Sequence, residues 1–150
     1  MNGSPWVIDA SVVAKIYLRD EEFADEARDI VGRHVRGDVE LVAPQFILYE
    51  IPSAIEAAVR QRRFDRDDAR GALRDFFSLG IRTVGDTDTL PVLIEAAFVR
   101  AEQLGCRMYD ALYLVTAEVL GYEFMTADFK LFQSIRNQVG YALWLGDYRF

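Results

Sequence analysis

Residues 108–132, "MYDALYLVTAEVLGYEFMTADFKLF", carry the pattern that decides the fold. Met108 to Leu120 are apolar at nearly every helical position, and Gly121 supplies a C-terminal stop. Glu123 to Thr126 then read as a short strand, and Asp128 to Phe132 as a further helical turn. A buried helix, a strand and a second helix in direct succession are the rhythm of an α/β sheet. The same stretch contains an anomaly. Asp110 lies in the first turn of the apolar helix, with Leu112, Tyr113, Leu114, Val115, Val119 and Leu120 as its neighbours. Burying an unpaired carboxylate is costly, so Asp110 needs a partner.

Working outward, the rhythm holds. Trp6 to Asp9 form a short apolar strand, followed by helical character over Ser11–Leu18. Glu21 to Val35 place Phe23, Ala27, Ile30 and Val31 on one stripe, and Gly37-Asp38 ends that helix. Glu40 to Ala43 form a second strand; Pro44 suits the first turn of a helix that runs from Gln45 to Arg60, and Pro52 should kink or split it. A helix over Arg66–Leu79 meets its boundary at Gly80, and Ile81–Val84 follows as a strand. Thr87 or Asp88 caps a helix to Leu104, with Gly105 beyond its end, and Tyr141–Leu145 forms the last strand. The expected architecture is a single domain over residues 1–150, an α/β sandwich with a mostly parallel sheet. Ligands of such sheets gather at the carboxyl ends of the strands.

Composition narrows the chemistry. With 150 residues, 51% hydrophobic and 27% charged, the chain is an ordinary globular protein. Its longest apolar runs fall short of a membrane span, and no basic segment followed by an apolar one marks a signal peptide. One cysteine, Cys106, allows no intrachain disulfide and fits a reducing, cytoplasmic compartment. One histidine, His34, argues against Ser/His/Asp catalysis and His-rich zinc sites, and its polar setting "GRHVRGD" reads as a solvated loop. A net charge of −7 argues against a nucleic-acid binder built on a broad basic face. It leaves room for acids neutralised locally by bound metal.

Four carboxylates call for a reason. Asp9 closes the run Val7-Ile8, where a strand-end Asp ordinarily caps the next helix. Glu50 has Phe46, Ile47, Ser53, Ala54 and Ala57 as helix-mates, so it points where a core would be. Asp110 opens the apolar helix, where the macrodipole favours a negative charge. Asp128 follows the strand ending at Thr126, and a capping or turn role suits it. Each acid has this ordinary structural reading alone. Together they fall at the ends of strands or on the helix beside them, and clustered carboxylates repel and raise one another's pKa. A divalent cation removes that conflict. Oxygen ligands without His or Cys favour Mg2+ or Mn2+ over zinc. Such an ion, or a pair about 4 Å apart, serves phosphodiester hydrolysis.

The chain resembles the PIN-domain family, and most closely the ribonuclease toxins of VapBC-type toxin–antitoxin systems. Four segments carry the likeness: "VIDASV" with Asp9 and Ser11, "APQFILYEIPSAI" with Glu50, "YDALYLVTAEVLG" with Asp110, and "FMTADFKL" with Thr126 and Asp128. The resemblance implies a three-layer α/β/α sandwich with about five mostly parallel strands. It implies an acidic Mg2+/Mn2+ site in which Asp9, Asp110 and Asp128 are metal ligands and Glu50 holds metal or water, with Thr126 and Ser11 in support. It also implies RNA as substrate, homodimers, and an antitoxin that inserts a segment near the active site. One departure is Ser53, where many relatives carry Asn.

Candidate phosphate contacts are Lys15, Arg60, Arg62, Arg63 and Arg66, although the run "RQRRFDRDDAR" is mixed in sign, as solvated connections usually are. Tyr17, Tyr109 and Tyr113 offer rings for base stacking, against the commoner use of aromatics as core. Two further functions compete with the nuclease: a PIN-like binding or regulatory module of weak or no activity, and a phosphotransfer domain. The phosphotransfer reading is poorly matched, because Ser11 stands where a haloacid-dehalogenase-type site needs a second Asp, and the early acid pair of a receiver domain is missing.

Overall fold

The computed structural model describes residues 3–150. Five strands are present: β1 (Trp6–Ile8), β2 (Leu41–Pro44), β3 (Arg82–Val84), β4 (Glu123–Thr126) and β5 (Ala142–Trp144). All pair in parallel, in the order β3-β2-β1-β4-β5. The expectation of a mostly parallel sheet is met in its strictest form. β1 is central, with Trp6 opposite both Leu41 of β2 and Glu123 of β4. Val7, Ile8, Leu41, Val42 and Phe124 have no exposed surface, as residues of a sheet covered on both faces should. Each contributes roughly 1.5–3 kcal/mol by burial.

The helices are α1 (Ala10–Ala14), α2 (Ala24–Val35), α3 (Ile47–Arg60), α4 (Arg66–Ser78), α5 (Leu90–Leu104), α6 (Met108–Leu120) and α7 (Phe129–Ile135), with a 3-10 turn over Leu145–Asp147. From the central strand the chain first winds outward through β2 and β3, then returns to build β4 and β5 on the other side. Right-handed crossovers in opposite directions place helices on both faces, which gives the α/β/α sandwich. The apolar helix α6 packs across β1, β2 and β4 and carries α5 on its back. Leu93 and Ala97 of α5 meet Ala111, Leu112 and Val115 of α6 in a second, smaller core. The helix stops fall at Gly105 and Gly121, whose φ values of 64° and 70° lie in the left-handed region.

Several local expectations are corrected. Pro44 ends β2 instead of opening a helix, and α3 begins only at Ile47. Pro52 does not split α3: in its second turn it costs the hydrogen bond to the Leu48 carbonyl, while Ile47, Ile51 and Ile55 stay fully packed around it. α1 is only five residues, shorter than Ser11–Leu18. α5 starts after Thr89, and the acid that satisfies its entry is Asp86, which accepts from the backbone N–H groups of Asp88 and Thr89. His34 is half-buried, not solvated. Its Nδ1 accepts the Leu41 N–H at 3.1 Å and so ties α2 to the start of β2.

Candidate active site

Asp9 leaves β1 at its carboxyl end, in the centre of the sheet. It is 6% exposed, and its side chain makes no capping bond to α1, so the ordinary reading of a strand-end cap does not apply. Its Oδ2 instead accepts the Ser11 hydroxyl at 2.7 Å and the Thr126 hydroxyl at 2.8 Å. Both hydroxyls are themselves fixed from behind. Ser11 Oγ accepts the Ala127 N–H at 3.0 Å, and Thr126 Oγ1 accepts the Asp128 N–H at 3.0 Å. These bonds join the ends of β1 and β4, the crevice where the order of strands reverses direction. Burial outweighs the two hydroxyls and pushes the Asp9 carboxyl up to about 6, with Asp110 and Asp128 adding repulsion.

Glu50 lies in the first turn of α3, and its Oε1 accepts the buried Tyr113 hydroxyl of α6 at 2.7 Å. Burial raises its carboxyl to about 7, and the charges of Asp9 and Asp110 add to the rise. Asp110, in the first turn of α6, is also raised, first by burial and then by Asp128. Arg107 opposes that rise: its Nε donates to Asp110 Oδ2 at 3.2 Å, from a side chain that is 75% exposed. Asp128 caps α7, accepting the Leu131 N–H at 2.9 Å, so the ordinary reading holds for one of its oxygens. The mutual repulsions among the four acids bring them into one electrostatic site.

Each acid leaves one carboxylate oxygen without a hydrogen-bond partner among the described residues: Oδ1 of Asp9, Oε2 of Glu50, Oδ1 of Asp110 and Oδ2 of Asp128. None is sealed off, since the only buried, unpartnered side-chain polar atom among the described residues is Trp144 Nε1. Hard, open oxygen atoms on clustered acids are the donor set that suits a divalent cation. As they stand, however, no three acids among the described residues lie close enough to form a metal's ligand shell. Arg107 holds Asp110 in its present pose, so loading the site requires side-chain movement.

The basic candidates divide. Lys15 is paired with Glu21 at 3.2 Å, and Arg63 with Asp20 and Glu21 at 3.0 and 3.2 Å. Arg62 is exposed, has a φ of 58°, and forms no ion pair among the described residues. Ser53 is exposed on α3. Tyr17 and Tyr113 are core residues, whereas Tyr109 is 54% exposed. The sequence reading overlooked Arg107 and the bond from Tyr113 to Glu50. Arg107 stands three residues before Asp110, a spacing that signals a helical ion pair. Tyr113 gave no signal, because a buried Tyr looks like core until its hydroxyl partner is known.

The comparisons agree with this geometry. Residues 6–137 match the family model described as PIN domain. The chain is 25% identical over 129 residues to Ribonuclease VapC3 of Pyrobaculum aerophilum, covering 83% of this chain and 90% of that protein. Its fold is similar to the crystal structure of PAE2754 from Pyrobaculum aerophilum, with a TM-score of 0.67 at 19% identity, over 95% of this chain and 92% of the other. A parallel sheet with acids at the carboxyl ends of its central strands, and a family match over nearly its whole length, make this chain a member of the PIN-domain family.

Proposed function

We propose that the protein is a Mg2+- or Mn2+-dependent endoribonuclease, a toxin restrained by a cognate antitoxin. The observation that carries the reading is Asp9. A carboxylate held by two oriented hydroxyls at the centre of the sheet, raised to about 6 by burial and like charge, is costly to the fold unless it serves a cation. Asp9, Asp110 and Asp128 would hold the metal through their open oxygens. A bound cation supplies charge stabilisation at the phosphoryl oxygens and a more acidic water. Ser11 and Thr126 keep the Asp9 carboxylate facing the crevice. Tyr113 fixes Glu50 so that Oε2, at about 7, takes a proton from the attacking water near neutral pH.

Two surfaces support the partners. A groove of about 970 Å3, with Ile16, Leu18, Val31 and Leu79 in its walls and both arginines and aspartates in its lining, Arg28 and Arg36 with Asp20 and Asp68 among them, suits an amphipathic antitoxin segment of mixed charge. On α5, Val92, Ile94, Phe98 and Val99 are exposed large apolar side chains, which favours a homodimer through that helix. A cytoplasmic location belongs to the same reading, by the likeness to the ribonuclease toxins; among the described residues no helix is long and apolar enough to cross a membrane.

The second reading, a PIN module of weak or no activity, is favoured by two observations: Arg107 occupies Asp110, and no three acids among the described residues meet a metal's spacing. Antitoxin-free protein decides between them. Cleavage of an RNA pool with Mg2+ or Mn2+, abolished by EDTA and by Asp9→Asn, supports the nuclease. Full activity of Asp9→Asn, or none in the wild type with either metal, refutes it.

A further inference from the structure

The four acids pose a charge problem that one metal ion does not solve. A divalent cation offsets two of the four carboxylate charges, yet the phosphodiester to be cut is itself an anion. A further positive group has to meet that phosphate. Lys15 and Arg63 are already committed to Asp20 and Glu21.

Arg107 is placed differently. It stands immediately before α6 on extended backbone, with φ −69° and ψ 150°, and Asp110 follows in the first turn. Only its Nε is engaged, donating to Asp110 Oδ2 at 3.2 Å; Nη1 and Nη2 have no partner among the described residues. Its charge acts across the whole acid site. It lowers the carboxyls of Asp110 and Glu50, while Asp128 and Asp9 hold its own pKa up. The Arg107 side chain is 75% exposed and that of Asp110 only 14%, so the guanidinium covers the acid from the solvent side.

An exposed pair three residues apart is weak, a factor of about two to five in equilibrium. A metal ion that takes Asp110 therefore releases the guanidinium at little cost. The released group is planar, permanently charged and forked, and the start of α6 keeps it tethered beside the acids. A fork of that kind grips two oxygens of one phosphate. In hydrolysis a water oxygen bonds to phosphorus and its proton passes to Glu50, while the leaving oxygen departs and takes a proton from solvent. Negative charge on the nonbridging oxygens has to be met in between, and there a positioned cation has its largest effect.

We propose that Arg107 exchanges partners: it holds Asp110 in the metal-free protein and, once metal is bound, clamps the phosphate being cleaved. The residue that weakens the site for metal is then the one that strengthens it for phosphate. This rests on the nuclease reading above and adds to it a cation supplied by the chain itself.

The test compares wild type with Arg107→Gln and with Arg107→Lys, which keeps the charge without the fork. Mn2+ binding is measured by calorimetry without RNA, and cleavage at saturating Mn2+ on an RNA that the wild type cuts. Arg107→Gln should bind Mn2+ about two- to five-fold more tightly and yet lose about 100- to 1000-fold in kcat. Arg107→Lys should recover part of that loss. The fall of log(kcat/KM) with log salt should also become shallower in Arg107→Gln by about 0.7 to 0.9, the share of one phosphate contact. A residue that merely supports the fold would move neither the salt slope nor the metal affinity in these directions. An Arg107→Gln protein that cuts as fast as wild type makes Arg107 a latch alone, and overturns the proposal while the nuclease stands. So does unchanged or weaker Mn2+ binding, an unchanged salt slope, or an Arg107→Lys protein no faster than Arg107→Gln. A wild type that cuts no RNA with either metal overturns the nuclease reading and this proposal together.

Discussion

Asp9→Asn should make the metal-free protein more stable while destroying its activity. The side chain is 6% exposed, so solvent screens its charge little. Moving its pKa from 3.8 in the unfolded chain to about 6 in the fold means that, above pH 6, folding carries a penalty of about 3 kcal/mol. The native state binds the proton more tightly, so the penalty is complete above pH 6 and fades as pH falls toward 4. Asn preserves the geometry: its carbonyl oxygen accepts the Ser11 and Thr126 hydroxyls, and its amide takes the place of the open Oδ1. In EDTA at pH 8 the variant should therefore exceed wild type by as much as about 3 kcal/mol, and by only about 0.5 kcal/mol at pH 4. Urea unfolding of both proteins at each pH measures this, since the difference cancels the carboxylates that do not feel Asp9, while Glu50, relieved of the Asp9 charge, shifts it in the same direction. Mn2+ should reverse the order by stabilising wild type alone. A variant less stable than wild type at pH 8, or a difference constant from pH 8 to pH 4, refutes the claim that Asp9 is a strained charge awaiting a cation.

Three further outcomes follow from neighbouring contacts. Arg107→Gln removes the ion pair on Asp110, and Mn2+ should then bind about two- to five-fold more tightly by calorimetry, the scale of an exposed pair; unchanged affinity would mean that Arg107 does not compete with metal. Tyr113→Phe keeps the buried ring but removes the donor to Glu50, so the acid limb of the kcat–pH profile should move to higher pH, with stability changed by about 1 kcal/mol. Leu114→Ala, at a position with no exposed surface in α6, should cost about 2–5 kcal/mol in urea unfolding without moving that profile.

Hydrophobic periodicity was enough to order strands and helices, because β1, β2 and β4 are buried on both faces and α6 on nearly all of its own. Boundaries and surroundings were misjudged where one residue type suits two roles. Pro44 is tolerated in β2, although its residue type suits a helix start equally well. His34 reads as surface until its bond to Leu41 is seen. At the acid site, the residue types were legible because carboxylates beside apolar runs are rare enough to stand out. Their partners were not: Thr126 lies 117 residues from Asp9, and Tyr113 lies 63 from Glu50, distances at which spacing carries no information. Tyr109 and Tyr113 stand four apart on the same side of α6, one exposed in the first turn and the other buried a turn later, so periodicity does not distinguish the two.

The 117-residue interval between Asp9 and Thr126 also governs when the site comes into being. β1 is translated first, yet its neighbour on one side is β4, made after three of the five strands. A nascent chain that has exposed everything up to α6 still has Asp9 at an open sheet edge, without the Thr126 hydroxyl or the Asp128 carboxylate. Closing so long a loop is also slow relative to local helix formation. The acids therefore assemble late in synthesis. If they cut RNA, the ribosome that makes the protein works beside an incomplete nuclease until β4 and Asp128 have left it.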